Sequence, residues 1–539
     1  MPAAKQFLAF DLGAESGRGV LGRFDGSRLS LEVIHRFPNG AVRTLDTLHW
    51  DVLRLYNEML QTLRLCAAKH GALDGVGVDT WGVDFALLGR GGTLLGNPRH
   101  YRDPHTEGMM EQAFARVPRA EIFRHTGIQF MRFNTLFQLL AMQRDRSPLL
   151  DAAETMLFMP DLFHYWFTGI KVNEYTDAST SQMLDPNTRS WAQELIRAFA
   201  LPSKILGTLI QPGTVLGPLR PAIVEETGIN AASVIAPASH DTASAIVAVP
   251  ASPHPNPPPQ GGREKENPPP QGGREKENPP PQGGREQITP SPLVGEGWGG
   301  GWAYISSGTW SLMGVELKQP IVGEAALEAN FTNEGGVGGT IRFLKNIMGL
   351  WLVQECRRAW ERSGTAYSYD ELMRQAETST PFASLVDPDH LSFILPTNMP
   401  AVLADFCRRS GQPVPEGIGG TVRCALESLA LCYRWVLERL EALTGRRAEV
   451  IHIVGGGSQN ALLNQFTADA CNRPVLAGPV EATAIGNVLV QALGVGALGS
   501  LADAREVVRR SFEVRTFSPR QPEAWQAPYE RFCAFRTTA

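Results

Sequence analysis

Short apolar runs of strand length alternate along this chain with longer stretches of helical spacing. Phe7-Leu8-Ala9 is a buried-strand run that leads into Phe10 and Asp11, and Leu29 to His35 has a strand pattern. Trp50 to His70 carries Leu53, Leu55, Met59, Leu60, Leu63 and Leu65 near helical spacing, which predicts an amphipathic helix. Gly75 to Val78 reads as a short buried strand, while Ile122 to Arg146 and Ala153 to Thr168 read as largely helical. Trp302 to Glu316 reads as two strands joined around Gly308-Thr309. Helices are expected at Asn346 to Arg362 and at Val422 to Leu443. A strand follows at Val450 to Val454, then a helix from Asn460 to about Cys471. Residues 515–539 carry weak signals. The alternation predicts an α/β fold.

One segment breaks the pattern. From Asn256 the chain reads N-P-P-P-Q-G-G-R-E-K-E, repeated from Asn267 and again, truncated, from Asn278. Proline, glycine and charge dominate, and there is almost nothing apolar to offset the entropy of ordering. Residues 251–300 are therefore expected to be a disordered insertion in a surface loop. This divides the chain into an N-terminal domain, 1–244, and a C-terminal domain, 301–539. At 539 residues the chain is long enough for two cores.

Charge and cysteine usage narrow the function. A net charge of −5, with no basic stripe, gives no reason to expect a nucleic-acid partner. No secretory signal or bilayer-length apolar stretch is evident, so no membrane partner is expected. Seven scattered cysteines without a C-x-x-C pair argue against structural zinc and point to the reducing cytoplasm. Cys407 and Cys424 can be read as a close pair or as free buried thiols. A monomer or weak homo-oligomer is expected.

Three segments carry chemistry. Asp11-Leu-Gly-Ala-Glu-Ser-Gly-Arg18 ends a strand in a carboxylate and turns on glycines. Gly13 and Gly17 lack a Cβ, Ser16 and Arg18 add donors, and Asp11 could hold Mg2+ through water. A phosphate clamp fits, as does a glycine hairpin with a solvated Asp; the Walker pattern does not. Val450 to Val454 runs into Gly455-Gly456-Gly457, where a flat ligand could lie on bare backbone. Two strand–glycine–helix units of this kind suggest two halves sharing one nucleotide. In Pro237-Ala-Ser-His-Asp-Thr242, Ser239 is expected to cap a helix that places Asp241 in its first turn. Asp241 then either complements the helix dipole or serves as a general base. In Gly77-Val-Asp-Thr-Trp-Gly-Val-Asp-Phe85, Trp81 is either domain core or a flat face for a sugar.

Further motifs follow in order: Y-R-D at 101–103, F-N-T-L-F-Q at 133–138, S-S-G-T-W-S-L-M-G at 306–314, N-E-G-G at 333–336 and L-K-N-I-M-G-L-W-L-V-Q at 344–354. With the segments above they resemble the FGGY carbohydrate kinases over nearly the whole chain except residues 251–300. Within that family the likeness is to the branch acting on L-rhamnulose. The resemblance implies two actin-like (ribonuclease-H-like) domains with ATP and sugar in the cleft between them. It implies ATP-dependent phosphorylation of L-rhamnulose to its 1-phosphate, with Mg2+ as cofactor. Asp241 matches the catalytic base, and Gly82, His240 and Thr242 match sugar-site positions. Ala14, Glu15, Ser16, Gly17, Arg18, Thr309, Asn346, Gln354 and Gly456 match nucleotide-site positions. Glu15 departs from the pattern, because relatives often carry a small hydroxyl residue there. Related ketose or polyol kinases, such as those for L-fuculose or D-xylulose, share the plan. So do non-catalytic ATP-switched proteins, but these have no need of the Trp81-Gly82 and His240–Thr242 segments.

Overall fold

The computed structural model describes residues 4–251 and 301–536. The repeat-bearing segment lies outside the described residues. The N-terminal sheet contains β1 (Lys5–Leu12), β2 (Ser16–Phe24), β3 (Leu29–Pro38), β4 (Gly75–Thr80), β5 (Val215–Pro218) and β6 (Ser233–Ile235), in the order β5-β6-β4-β1-β2-β3. Strands β1 to β3 are antiparallel neighbours, and β4 and β6 run parallel to β1. The buried run at the start of the chain covers both faces of this sheet. Leu8, Phe10 and Leu12 pack into one core, against helix α1 (Val52–His70). Phe7 and Ala9 point the other way into a second core. This is the two-residue period of a strand covered on both sides.

The C-terminal sheet repeats the plan. It contains β7 (Trp302–Ser307), β8 (Trp310–Leu317), β9 (Thr332–Gly335), β10 (Ile341–Met348), β11 (Val450–Val454), β12 (Val475–Ala477) and β13 (Arg515–Phe517), in the order β9-β10-β8-β7-β11-β12-β13. Strands β10, β8 and β7 are antiparallel neighbours, and β11 and β12 run parallel to β7. Order and sense thus match β3-β2-β1-β4-β6 in the first sheet, so a ribonuclease-H-like core occurs twice. Helix α2 (Asp241–Val247), from the first half, packs against α6 (Ala482–Gly494), from the second. A Cβ on Gly486 would overlap the Ser244 carbonyl, so the two helices touch backbone to backbone.

Several expectations need correcting. The buried stripe of α1 is Val52, Leu55, Met59, Leu60, Leu63 and Cys66; Leu53 and Leu65 lie off it, 60% and 38% exposed. The helical stretch predicted at 122–146 is two helices, Arg119–Thr126 and Thr135–Arg144, because Gly127 turns left-handed after the first. Residues 155–158 form a strand paired with Phe85–Leu88, and the helix starts only at Met159, with Pro160 in its first turn. Asn346 belongs to β10, held between β8 and β9, and helix α3 spans Trp351–Arg362. The C-terminal stretch forms β13 and the helix Gln526–Arg536, with Trp525, Tyr529 and Phe532 buried. The first glycine unit is a hairpin between β1 and β2, with no helix after it. Helix α4 (Gly417–Thr444) contains the predicted 422–443 segment, and α5 (Ala461–Cys471) follows β11 as expected. None of the seven cysteines forms a disulfide, and Cys407 and Cys424 meet as hydrogen-bonded thiols. Among the described residues no helix is long and apolar enough to cross a membrane.

Candidate active site

The strand ends of the two sheets face one another across a cavity of about 260 Å3. The β1–β2 turn contributes Gly13, Ala14 and Arg18, and the β7–β8 turn contributes Gly308 and Thr309. The tip of β4 adds Trp81 and Gly82, the tip of β11 adds Gly455 and Gly456, and the start of α2 adds His240, Asp241 and Thr242. Asn346 closes the wall from β10. Nine residues picked from the sequence therefore meet around one space: Ala14, Arg18, Gly82, His240, Asp241, Thr242, Thr309, Asn346 and Gly456. Asp11, Glu15, Ser16, Gly17 and Gln354 are not among its lining residues.

Asp241 opens α2, and His240 is the N-cap residue. Ser239 does not cap the helix; its hydroxyl donates to the Pro237 carbonyl at 3.4 Å. Asp241 Oδ1 accepts from the Thr242 backbone N–H at 2.5 Å and from its hydroxyl at 3.1 Å. Burial pushes the Asp241 carboxyl above its ordinary value, while the facing His240 opposes this and the charge of Asp11 adds to it. A carboxylate so placed can accept a proton from a bound hydroxyl.

Both halves of the chain match profiles of one family. Residues 6–248 match the FGGY family of carbohydrate kinases, N-terminal domain, and residues 303–495 match its C-terminal domain. The chain belongs to the FGGY family of carbohydrate kinases. It is 44% identical over 528 residues to a rhamnulokinase of Bacteroides thetaiotaomicron, covering 98% of this chain and 99% of that one. It is 39% identical over 534 residues to a rhamnulokinase of Pectobacterium atrosepticum (99% and 97% covered) and 35% over 514 residues to that of Bacillus subtilis (95% of each). Among solved structures it resembles a gluconate kinase from Lactobacillus acidophilus (TM-score 0.73, 15% identity, 99% and 98% covered). A ligand-bound xylulose kinase from the same organism gives a TM-score of 0.74 at 14% identity, with 99% and 98% covered. The fold is that of the FGGY sugar kinases, with two actin-like domains around a cleft, and the chain is a sugar kinase, a phosphotransferase.

In this kinase the glycines of the two turns have different jobs. Gly455 has φ +85°, and a Cβ on Gly457 would overlap the Ser307 side chain, so both are needed for the turn itself. A Cβ on Gly456 would meet nothing within 4 Å and would point into open space. Gly17 differs from expectation: a Cβ there would overlap the Phe37 ring, so its small size serves packing of the hairpin against β3.

Charges gather at the strand ends because of register. Asp11 pairs with Arg18 across the hairpin and with Asp79 on β4. Arg18 donates to Asp11 Oδ2 at 2.9 and 2.6 Å and reaches Glu481, just before α6, at 2.5 Å. Asp79 is fully buried; Oδ2 accepts from Asn487 at 2.6 Å, and Oδ1 has no hydrogen-bond partner. Burial, with the charge of Asp11 next, holds the Asp79 carboxyl well above the usual range. Glu15 turns away to an ion pair with Arg358 of α3 at 2.5 Å, which compensates its charge. Gln354, also on α3, keeps a buried Oε1 without a partner. Among the described residues no three His, Cys, Asp or Glu side chains form a ready-made metal site. Asp11 and Asp79 are hard oxygen donors, and Asp79 keeps one buried oxygen unpartnered, which fits an ion held largely through water and phosphate.

Sequence reasoning missed much of the apolar wall. Trp81 stacks on Trp50 at 3.8 Å, so it is at once core and cavity wall. Beneath it lies fully buried Asp84, which accepts from Trp50 (2.6 Å), Trp81 (3.1 Å), Gln138 (2.9 Å) and the Tyr101 backbone (3.1 Å). Burial pushes the Asp84 carboxyl up to about 7 against these donors. Val83 lines the cavity with φ +68°, a strained setting for a β-branched residue. Its N–H donates to Thr180, and its carbonyl accepts from Thr135. Phe133 and Trp310, 5.7 Å apart, complete this wall. The motifs at 77–85, 133–138, 306–314 and 333–336 contained Val83, Asp84, Phe133, Trp310 and Glu334, but residue type alone gave them no role.

Proposed function

We propose that this kinase transfers the γ-phosphoryl group of ATP to the 1-hydroxyl of L-rhamnulose, forming L-rhamnulose 1-phosphate and ADP in cytoplasmic L-rhamnose breakdown. The observation that carries this reading is identity to rhamnulokinases over nearly the full length of both chains. The cavity supplies matching chemistry. Asp241 accepts the proton of the 1-hydroxyl as its oxygen attacks phosphorus, and the bond to the ADP oxygen breaks. His240, Thr242 and Gly82 hold the sugar against the wall of Trp81, Phe133 and Trp310. The Ala14–Arg18 turn, Thr309 and Gly456 take the nucleotide, with Gln354 behind them. Asp11 and Asp79 would hold Mg2+ through water, and the ion would neutralise phosphate charge. Closing the two sheets on one another brings hydroxyl and γ-phosphate into line and keeps water out.

The test is ATP consumption by purified protein with L-rhamnulose, L-fuculose, D-xylulose and glycerol, with 31P NMR of the product. The expected result is the highest kcat/KM for L-rhamnulose and a 1-phosphate signal. A higher kcat/KM for any of the other three would overturn the substrate assignment and leave the sugar-kinase class standing.

A further inference from the structure

Arg342 is fully buried on β10, opposite Glu334 on β9, and is not among the cavity-lining residues. Its Nε donates to the Gly335 carbonyl at 2.7 Å, and its Nη2 lies 3.1 Å from both Glu334 Oε2 and His240 Nδ1. A guanidinium has only donors. Its contact with Nδ1 therefore needs the nitrogen lone pair, and the proton of a neutral imidazole must sit on Nε2. Nε2 is 3.5 Å from Asp241 Oδ1. We infer that Arg342 is a positioning residue: it fixes the tautomer of His240 so that an N–H, and not a lone pair, faces the carboxylate of Asp241.

The surroundings show why this matters. The other titratable groups acting on Asp241 from the first half are Asp11 and Asp79 on the N-terminal sheet and Asp177 on the helix Tyr175–Ala178, and all three are acidic. Arg18, paired with Asp11 and Glu481, is the cation on that side. From the C-terminal sheet Glu334 faces the imidazole, 3.5 Å from Nδ1. Without Arg342, Nδ1–H would turn to Glu334, and the Nε2 lone pair would then repel Asp241. The bond also crosses the molecule. His240 precedes α2 in the first half and Arg342 lies in the second, so the base is set only when the two sheets are in place.

This inference rests on the reading of Asp241 as base, and two measurements separate the claims. Long-range 1H–15N spectra of the wild-type protein, with His240 assigned by its loss in His240→Gln, should show the proton on Nε2 and none on Nδ1. An Nδ1–H tautomer or an imidazolium would overturn the inference, and this measurement needs no Arg342 variant to fold. Arg342→Lys keeps a cation beside Glu334 but cannot serve both Gly335 and His240. It should lower kcat by about tenfold or more and move the acid limb of the kcat profile to higher pH, alongside any rise in sugar KM that comes through His240. An unchanged kcat, or a rise in sugar KM alone, would make Arg342 merely structural. If Asp241 were not the base, that would appear separately, as turnover by Asp241→Asn.

Discussion

At Asp241, burial and the charge of Asp11 favour the neutral acid, while His240 favours the carboxylate. A base must be ionised to work, so activity should be lost as pH falls through its titration. Since the carboxyl is raised from 3.8, the acid limb of kcat/KM should lie above that value; a limb below it would mean that Asp241 is not the titrating base. At Gly456 the open space beyond the Cα belongs to the cavity. Gly456→Val should therefore fold normally yet weaken ATP binding by tenfold or more (about 1.4 kcal/mol), leaving sugar affinity nearly intact. Unchanged ATP affinity by calorimetry would make the second glycine turn purely structural. Asp241 was legible in the sequence because it stands between His240 and Thr242 at a helix start, and Gly456 because three glycines in a row exceed what a hairpin turn requires. Arg342 and Glu334 were not, because their role depends on a strand register that pairs them and aims both at His240.

The elements were read best where one face is buried. Strands β1, β3, β4, β7, β8 and β11 and helices α1, α4 and α5 stand where apolar spacing placed them; β1, β3, β4 and α4 run longer, while α1 and α5 start one or two residues later. Misreadings fell where tertiary pairing overrides spacing. Residues 155–158 are apolar enough for a helix, but Phe85–Leu88 offers them a strand partner. Asn346 looked like a helix start, but β8 and β9 hold it in a sheet. The 77–85 motif works as an element too. Asp84 ties β4's tip to Trp50, Tyr101 and Gln138, and so holds Trp81 and strained Val83 in the wall. Asp84→Asn leaves buried N–H groups facing an amide, at about 1–3 kcal/mol for each group left unpaired. The expected outcome is a lower denaturant midpoint and a sugar KM raised about tenfold, with a smaller change in kcat. A normal sugar KM would show that the wall does not depend on this carboxylate.

For the whole molecule, the doubled sheet was legible as two glycine-turn units, but the cavity was not. It exists only because the strand ends of both sheets, α2 and the β10 wall converge from distant parts of the chain. The flanks of the proline-rich segment are anchored independently: the Ala251 carbonyl accepts from Arg509 and the Gly301 carbonyl from the Val450 N–H. With almost no apolar side chains between them, excision of residues 252–299 should leave a folded, active kinase. Shortening the connection between α2 and β7 from 54 residues to 6 would add about 2 kcal/mol of stability by loop-closure entropy. A deletion variant that stays folded but loses turnover would refute this. The central claim is that the cavity between the sheets is a phosphoryl-transfer site with Asp241 as its base. Steady-state kcat of Asp241→Asn with ATP and L-rhamnulose tests it most directly, with nucleotide binding measured on the same sample. The account predicts a kcat lowered by about 10²–10⁴-fold with ATP affinity and thermal stability close to wild type; a kcat within a few-fold of wild type would contradict it.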